Sequence, residues 1–422
     1  MHACGIDFGT SNSAIASGTK DGARLLPVED GSETLPSAIF YPHQTNAAPV
    51  FGRAAQKLFF EGEEGRFMRS LKRILGTPLM GQGTVVNGRM KKFDEIIGHF
   101  ISHMKALAES QLNHALTHAV MGRPVHFSDN DPAADGRAQD ELEAIARAAG
   151  FAEVFFQFEP VAAAFAHEEK VQSEKRALVA DIGGGTSDFT VIKISREHRR
   201  KEDRTGDILG HSGARLGGND FDKSLSLGAF MPELGLGTTF GAKNLAVPLA
   251  PFHDLSEWSK VNFLYNPKTM KDARDILFES HAPEKYGRFV KALEREAGHR
   301  ILSVVEDAKI ALTEETALTA ALPFLEDGLE IPLTREDFNA AIKSHIRRIT
   351  RAIDECLKTA GLNDGDIEIV ILTGGPTETP RLKETIKSRF AHAELSEDNK
   401  LSSVALGLGH DAARKYGKAK AA

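Results

Sequence analysis

The chain has 422 residues, with 41% hydrophobic and 26% charged side chains, the balance of a globular protein with enough apolar mass for two lobes or more. A net charge of −7 argues against nucleic acid as the main partner, because neutralising phosphates needs a basic face, and no apolar run reaches membrane-spanning length. The two cysteines, Cys4 and Cys356, give neither a disulfide framework nor metal-type spacing, and no signal peptide is expected before the first motif; a reducing cytoplasm is the expected setting.

In chain order, residues 1 to about 37 read as a strand-rich start, with a turn at Glu29-Asp30-Gly31-Ser32. An amphipathic helix is expected from about Asp94, with Ile96, Ile97, Phe100, Ile101, Met104 and Leu107 at helical spacing. His118 to Val125 reads as a short buried strand, and a helix follows from about Asp135 to Ala149, closed by Gly150. Glu159-Pro160 opens another helix, with proline in the first turn. Lys170 to Arg176 is charged and reads as an exposed seam between lobes.

The second half repeats the plan. Ala177 to Ile194 reads as strand–turn–strand, then comes Leu216 to Asp222 (LGGNDFD). A long helix is expected from about Tyr286 to Leu312, and Thr334 to Asp337 reads as a capping box opening a helix that runs through Cys356. Ile369 to Leu382 (IVILTGGPTETPRL) is a buried strand, a Gly-Gly turn and a helix start.

Two glycine-centred motifs carry the chemistry. Gly5 to Ser13 reads GIDFGTSNS and Asp181 to Asp188 reads DIGGGTSD. Each is an apolar stretch ending in Asp, then glycine and small hydroxyl residues, then a second β-type stretch. That is a tight hairpin whose turn offers backbone N–H groups to an anion. Two such turns suggest a duplicated pair of phosphate loops facing one nucleotide, and the strand–Gly-Gly–helix element suits the nucleoside. The Walker-type loop is absent. His99/His103 and His114/His118 have the i, i+4 spacing of metal ligands on a helix, but as histidines on a polar face they read as surface residues. Arg196 to Arg204 reads as a solvated hairpin tip.

The order GIDFGTSNS, SLKRILG, FEPVAAAF, ADIGGGTSDFTVI, LGGNDFD, EDAKIALT and LTGGPTETP resembles the ATPase domain of the DnaK-type seventy-kilodalton heat-shock chaperones, and among them the short YegD-like branch. The resemblance spans nearly the whole chain. It implies an α/β fold of duplicated ribonuclease-H-like, actin-like ATPase lobes, each with a mixed five-stranded sheet flanked by helices, clasping a nucleotide. Lobe I would comprise residues 1–176 and 396–422 with an insertion at about 38–117, and lobe II residues 177–395 with an insertion at about 223–338. No client-binding domain is expected within the chain.

By the same resemblance, Asp7, Gly9, Thr10, Ser11 and Asn12 line the first phosphate loop, and Gly183, Gly184, Gly185, Thr186 and Ser187 the second. Gly217 and Gly218 join them. Lys72 is implied as the catalytic lysine, which would stabilise charge on the transferring γ-phosphoryl and hold the attacking water. Asp7, Asp181 and Glu159 would hold the water shell of Mg²⁺, and Asp188 and Thr186 would help position the water. Glu306, Lys309 and Thr313 fall on one helical face and would lie along adenosine, with Gly374, Gly375 and Pro376 opposite. The implied cofactors are ATP or ADP with Mg²⁺, with K⁺ a further candidate. The implied partners are the nucleotide and a co-chaperone or client protein, with no nucleic acid and no membrane. Two departures bear on the base: Glu378 stands where many family members have an arginine stacked on adenine, and Leu401-Ser402 replaces the usual Asp-Glu pair. The expected function is an ATP-binding, ATP-hydrolysing, chaperone-like protein; the rivals are a nucleotide-dependent scaffold with little hydrolysis and a small-molecule kinase of the same superfamily.

Overall fold

The computed structural model describes residues 2–19, 22–44, 47–128, 131–168, 171–198, 201, 204–396 and 402–417. Lys170 of the expected seam, Arg199, Arg200, Glu202 and Asp203 of the charge run, Leu401 and residues 418–422 lie outside them.

Two sheets share one topology. The first consists of β1 (Ala3–Phe8), β2 (Asn12–Thr19), β3 (Gly22–Leu25), β4 (His118–Arg123) and β5 (Glu153–Phe158), in the order β5-β4-β1-β2-β3. The two-residue segment Leu35–Pro36 pairs with β2 at its margin. The second consists of β6 (Lys175–Ile182), β7 (Ser187–Ile194), β8 (Ile208–Ala214), β9 (Ile369–Thr373) and β10 (Glu394–Ser396), in the order β10-β9-β6-β7-β8. In each, the first three strands form an antiparallel meander and the last two run parallel to the first. The chain is therefore a duplicated α/β protein, as the paired motifs imply.

The inner strands β1, β4, β6, β7 and β9 are buried on both faces because helices cover both. Side chains alternate along β1: Cys4, Ile6 and Phe8 enter one core with the helices Phe93–Leu112 and Pro132–Ala148, whereas Ala3 enters a second. That second core is shared by both sheets. It holds Val120 of β4, Val179 of β6 and Ile371 of β9. With them are Val161 to Phe165 of helix α1 (Glu159–His167) and Val404, Leu408 and Ala412 of helix α2 (Ser403–Tyr416). The sheets and helices α1 and α2 fall in one compact unit, residues 1–217, 348–377 and 382–422. The other unit comprises residues 218–347 and 378–381, a largely helical body around Phe221, Phe252, Phe289, Leu302 and Phe338. Among the described residues no helix is long and apolar enough to cross a membrane.

Four local expectations are corrected. The helix expected from Tyr286 to Leu312 is two, Pro283–Glu294 and Gly298–Glu314. Glu296 takes a left-handed φ of 47° at the break, and the Gly298 N–H donates to Tyr265 Oη at 3.0 Å. The helix expected from Thr334 through Cys356 breaks at Ile342 into Arg335–Ala341 and Lys343–Ala360, although Thr334 does cap it, accepting from Asp337 N at 3.1 Å. The second histidine pair is not on a helix at all, since the helix ends at Leu112 and His118 lies in β4 against Tyr416. The first pair is part of the packing: His99 bonds Tyr41 Oη at 2.8 Å, and His103 stacks on Phe51. Finally, the 196–204 charge run is not all solvated, because His198 and Arg204 are buried.

Small residues let α2 approach closely. A methyl built on Gly5 would sit 2.2 Å from Gly409 N, and one on Gly407 would sit 1.7 Å from Ala162 O of α1. Since overpacking forces backbone shifts costing about 1–3 kcal/mol, Gly407→Ala should lower the melting temperature by several degrees despite alanine's better helix propensity. An unchanged melt by circular dichroism would contradict this packing.

Candidate functional site

Both phosphate-loop sequences form the turns between the first two strands of their sheets. The first is braced by Ser37, whose Oγ donates to Gly9 O at 2.7 Å and whose N–H donates to Ser11 O at 2.8 Å. The second closes through Gly183 N to Thr186 O at 2.8 Å, and Ser187 Oγ donates to Leu216 O at 2.7 Å. Glycine is required here for space rather than for positive φ: a methyl on Gly9 would lie 2.1 Å from Asn12 O. One on Gly184 would lie 2.2 Å from Ser11 Oγ, and one on Gly185 2.9 Å from Thr10 Oγ1. The two loops therefore face each other, presenting backbone N–H groups and the hydroxyls of Thr10, Ser11 and Thr186. Gly217 and Gly374 back the second loop; their methyls would fall 2.5 Å from Gly183 O and 2.0 Å from Ile182 O, and Gly374 also has φ of +88°. Gly375 and Pro376 follow in a 3-10 turn, Gly375–Glu378.

Beside these loops is a buried charge cluster. Lys72 sits in a 3-10 turn, Leu71–Ile74, preceded by Ser70 in the left-handed region (φ 60°). Its side chain is 6% exposed, and its Nζ donates to Glu159 Oε1 at 2.5 Å. A buried lysine needs such a partner. Glu159 opens α1, and Gly122 of β4 makes room for it, since a methyl there would meet Glu159 Cγ at 3.0 Å. Asp7 lies near the end of β1 and Asp181 near the end of β6, while Asp188 is the second residue of β7 and accepts from Val125 N at 2.6 Å. The structure thus brings together Lys72 with Glu159, Asp7, Asp181 and Asp188, the acids carried by the two sheets and the helix that follows β5.

The electrostatics are one-sided. Burial, then the Glu159 charge, pushes the Asp7 carboxyl up to about 7 and the Asp188 carboxyl up to about 8. Asp181 is raised well above the usual carboxylate range by burial and by Glu159, Asp188 and Asp7. Burial opposes the charge on Lys72, but Glu159, Asp7 and Asp188 outweigh it and hold the ammonium above its ordinary value. Four carboxylates share one ammonium, so the donor set is short of positive charge. Among the described residues no three His, Cys, Asp or Glu side chains converge to ligate a bare ion. A hydrated divalent cation, which keeps most of its waters and needs few direct ligands, would be compatible with this donor set.

Of the residues expected at the nucleoside, Glu306, Lys309 and Thr313 lie in the other compact unit, whereas Gly374, Gly375 and Pro376 lie in the first. Glu306, Lys309 and Thr313 are on the helix Gly298–Glu314, where Lys309 Nζ is 2.8 Å from Asp222 Oδ1 and Thr313 Oγ1 donates to Ile310 O at 2.7 Å. Gly218 begins the helix Gly218–Leu225. Sequence reasoning missed Ser37, Gly122 and Val125. Their only signals are a serine in a polar stretch, a glycine inside an otherwise apolar strand and the Pro-Val ending it, none of them distinctive without the fold.

Duplicated sheets with facing glycine loops and a buried Lys–acid cluster define an actin-like ATPase fold. A family model for the Hsp70 protein matches residues 82–227 and 282–420, well over half of the chain. The chain belongs to the Hsp70 family, a family of chaperone-type nucleotide-binding ATPases. The matched segments include Glu159, the second loop, Lys309 and Gly374. The first loop and Lys72 precede them, and residues 228–281 fall between them.

Removing one partner of a buried ion pair leaves the other uncompensated, at about 3–5 kcal/mol. Lys72→Met should therefore destabilise the ligand-free protein by roughly that amount, and Glu159→Gln added to it should recover most of the loss. Urea unfolding of the three variants measures both, and equal midpoints for Lys72→Met and wild type would show that the pair is not formed.

Proposed function

We propose that this protein is an Mg²⁺-dependent ATPase of the short YegD-like branch, which holds the phosphates of ATP or ADP on the paired glycine loops and hydrolyses the γ-phosphoryl bond. The observation that carries the reading is the buried cluster of Lys72 with Glu159, Asp181 and Asp188, joined by the half-buried Asp7, beside two loops of N–H and hydroxyl donors. Bound Mg²⁺ would neutralise charge across the phosphates, its waters held by Asp7, Asp181 and Glu159. Lys72 stabilises the charge on the transferring group, and Glu159 fixes Lys72 and orients water. Asp188, held by Val125 N, and Thr186 position the attacking water. This is catalysis by placement and electrostatics. Glu306, Lys309, Thr313, Gly218, Gly375 and Pro376 are assigned to the nucleoside side. The lobe division at residues 176/177 and 395/396, a cytoplasmic setting and a co-chaperone or client partner belong to the same reading.

A ligand that binds the folded state raises its melting temperature, so saturating MgATP and MgADP should both do so, and adenosine far less. Lys72→Ala, assayed below its own melting transition, should lose single-turnover cleavage while keeping most of its nucleotide affinity. No thermal shift and no calorimetric heat with either nucleotide would end the proposal. Phosphate release that requires an added acceptor would indicate a kinase, and ATP-dependent sedimentation without turnover a scaffold.

Glu378 bears on base selectivity, because an acid cannot make the cation–π contact of a stacked arginine, worth about 0.5–2 kcal/mol. Glu378→Arg should tighten ATP binding by roughly two- to thirtyfold and sharpen its preference over GTP, with the single-turnover rate nearly unchanged. Nanomolar wild-type affinity with strong rejection of GTP would show that another residue holds the base.

A further inference from the structure

A buried ionic cluster outside the site lies at the far end of α1. Glu168, the residue that ends this helix, is fully buried and accepts two bonds from the Arg204 guanidinium, at 2.9 and 2.5 Å. Arg204, 5% exposed, also donates to Asp207 Oδ2 at 2.6 Å and to Lys193 O at 3.3 Å, and its guanidinium lies over the Phe165 ring. Asp207 in turn holds Lys201 Nζ at 2.9 Å, and Lys201 O accepts from Arg414 of α2 at 3.0 Å.

The connectivity gives this cluster a meaning beyond packing. Arg204 and Asp207 belong to the connection between β7 and β8, hence to the sheet that supplies Asp181 and Asp188. Glu168 belongs to the helix that follows β5, hence to the sheet that supplies Asp7 and carries Glu159. A fork-to-carboxylate pair fixes orientation as well as distance. One end of α1 presents Glu159 to Lys72, and the other is fixed to the opposite sheet. A helix of this length is a rigid lever of about 13 Å.

We propose that Arg204 is a positioning residue, which through Glu168 sets α1 so that Glu159 and Lys72 are registered against Asp181 and Asp188. A salt bridge with a purely structural role would contribute to stability alone. A positioning role also makes turnover depend on the pair after stability has been restored.

The inference rests on the ATPase reading above, and its test separates the two. Because a buried ion pair replaced by apolar side chains of similar volume is often neutral for folding, the informative variant is the double substitution Glu168→Leu/Arg204→Met. It should melt near wild type yet show kcat reduced on the order of 10- to 100-fold, as displacements of about an ångström do, with KM changed less than about threefold. Arg204→Lys, which keeps the charge but not the fork, should fall between the two. Unfolding of Glu159→Gln in both backgrounds supplies a readout independent of activity. Distant, independent sites are additive, so the expected outcome is a smaller penalty for Glu159→Gln when the clamp is absent. A folded double variant with wild-type kcat overturns the proposal. If the wild type hydrolyses no ATP, the ATPase reading falls and the unfolding cycle alone decides the clamp: non-additivity supports it, and additivity overturns it.

Discussion

The Lys72–Glu159 contact is the constraint around which the rest of the site is arranged. An ammonium and a carboxylate, each almost entirely removed from water, are stable only as partners, and each partner depends on a local device. Lys72 is turned inward by a left-handed Ser70, a conformation that a non-glycine residue keeps only when its surroundings enforce it. Glu159 is admitted by the missing side chain of Gly122 and aimed by the start of α1. Around this pair, three further acids are held in a space with too little positive charge for them. Their charged forms are disfavoured by burial and by one another, and a nearby cation would favour them.

Much of the architecture was legible in the sequence, for a physical reason. The strands bearing the loops are short, apolar and bounded by glycine, and a residue buried on both faces of a strand leaves a pattern that needs no tertiary context. The matched motifs announced the duplication, and the paired sheets with identical strand order bear it out. Where the reading failed, tertiary context decided. Nothing in the helical periodicity between Tyr286 and Leu312 marks a break; it depends on Gly298 fitting against Val261 and Tyr265 from a distant segment. The charge run ending at Arg204 has the composition of a solvated tip, and only the fold reveals that Glu168 is waiting for it. Lys72 is the converse case: by itself a lysine reads as surface, and its motif alone gave it weight.

The glycines repay the same distinction. Sequence reasoning gives two grounds for a phosphate-loop glycine, a positive φ or a close approach. In the facing loops only the second applies, since Gly9, Gly184 and Gly185 stand against the opposite strand or loop at distances no β-carbon tolerates. Gly374 combines both, with positive φ and contact with the carbonyl of Ile182. The backbone packing that lets the loops meet is thus continuous with the packing behind them, and a side chain added at the rear would displace the front.

Duplication also explains what the two sheets do not share. In the first sheet Asp7 pairs across the hairpin with Ala14, and in the second Asp181 pairs across the equivalent hairpin with Asp188. The glycine turn is therefore present twice, whereas the second acid is present once. Two anion-binding turns facing each other can hold a polyphosphate chain symmetrically, but cleaving one particular bond requires asymmetry. On the ATPase reading proposed above, Asp188 would supply it from the second sheet, Glu159 from the helix that follows β5 of the first, and Lys72 from a turn after Gly65–Arg69, a strand outside both sheets. A site drawing on both sheets works only while their registration is held. The shared apolar core of α1 and α2 holds it broadly, and polar contacts at the ends of those helices can set it finely, because hydrogen bonds fix direction where apolar contact does not.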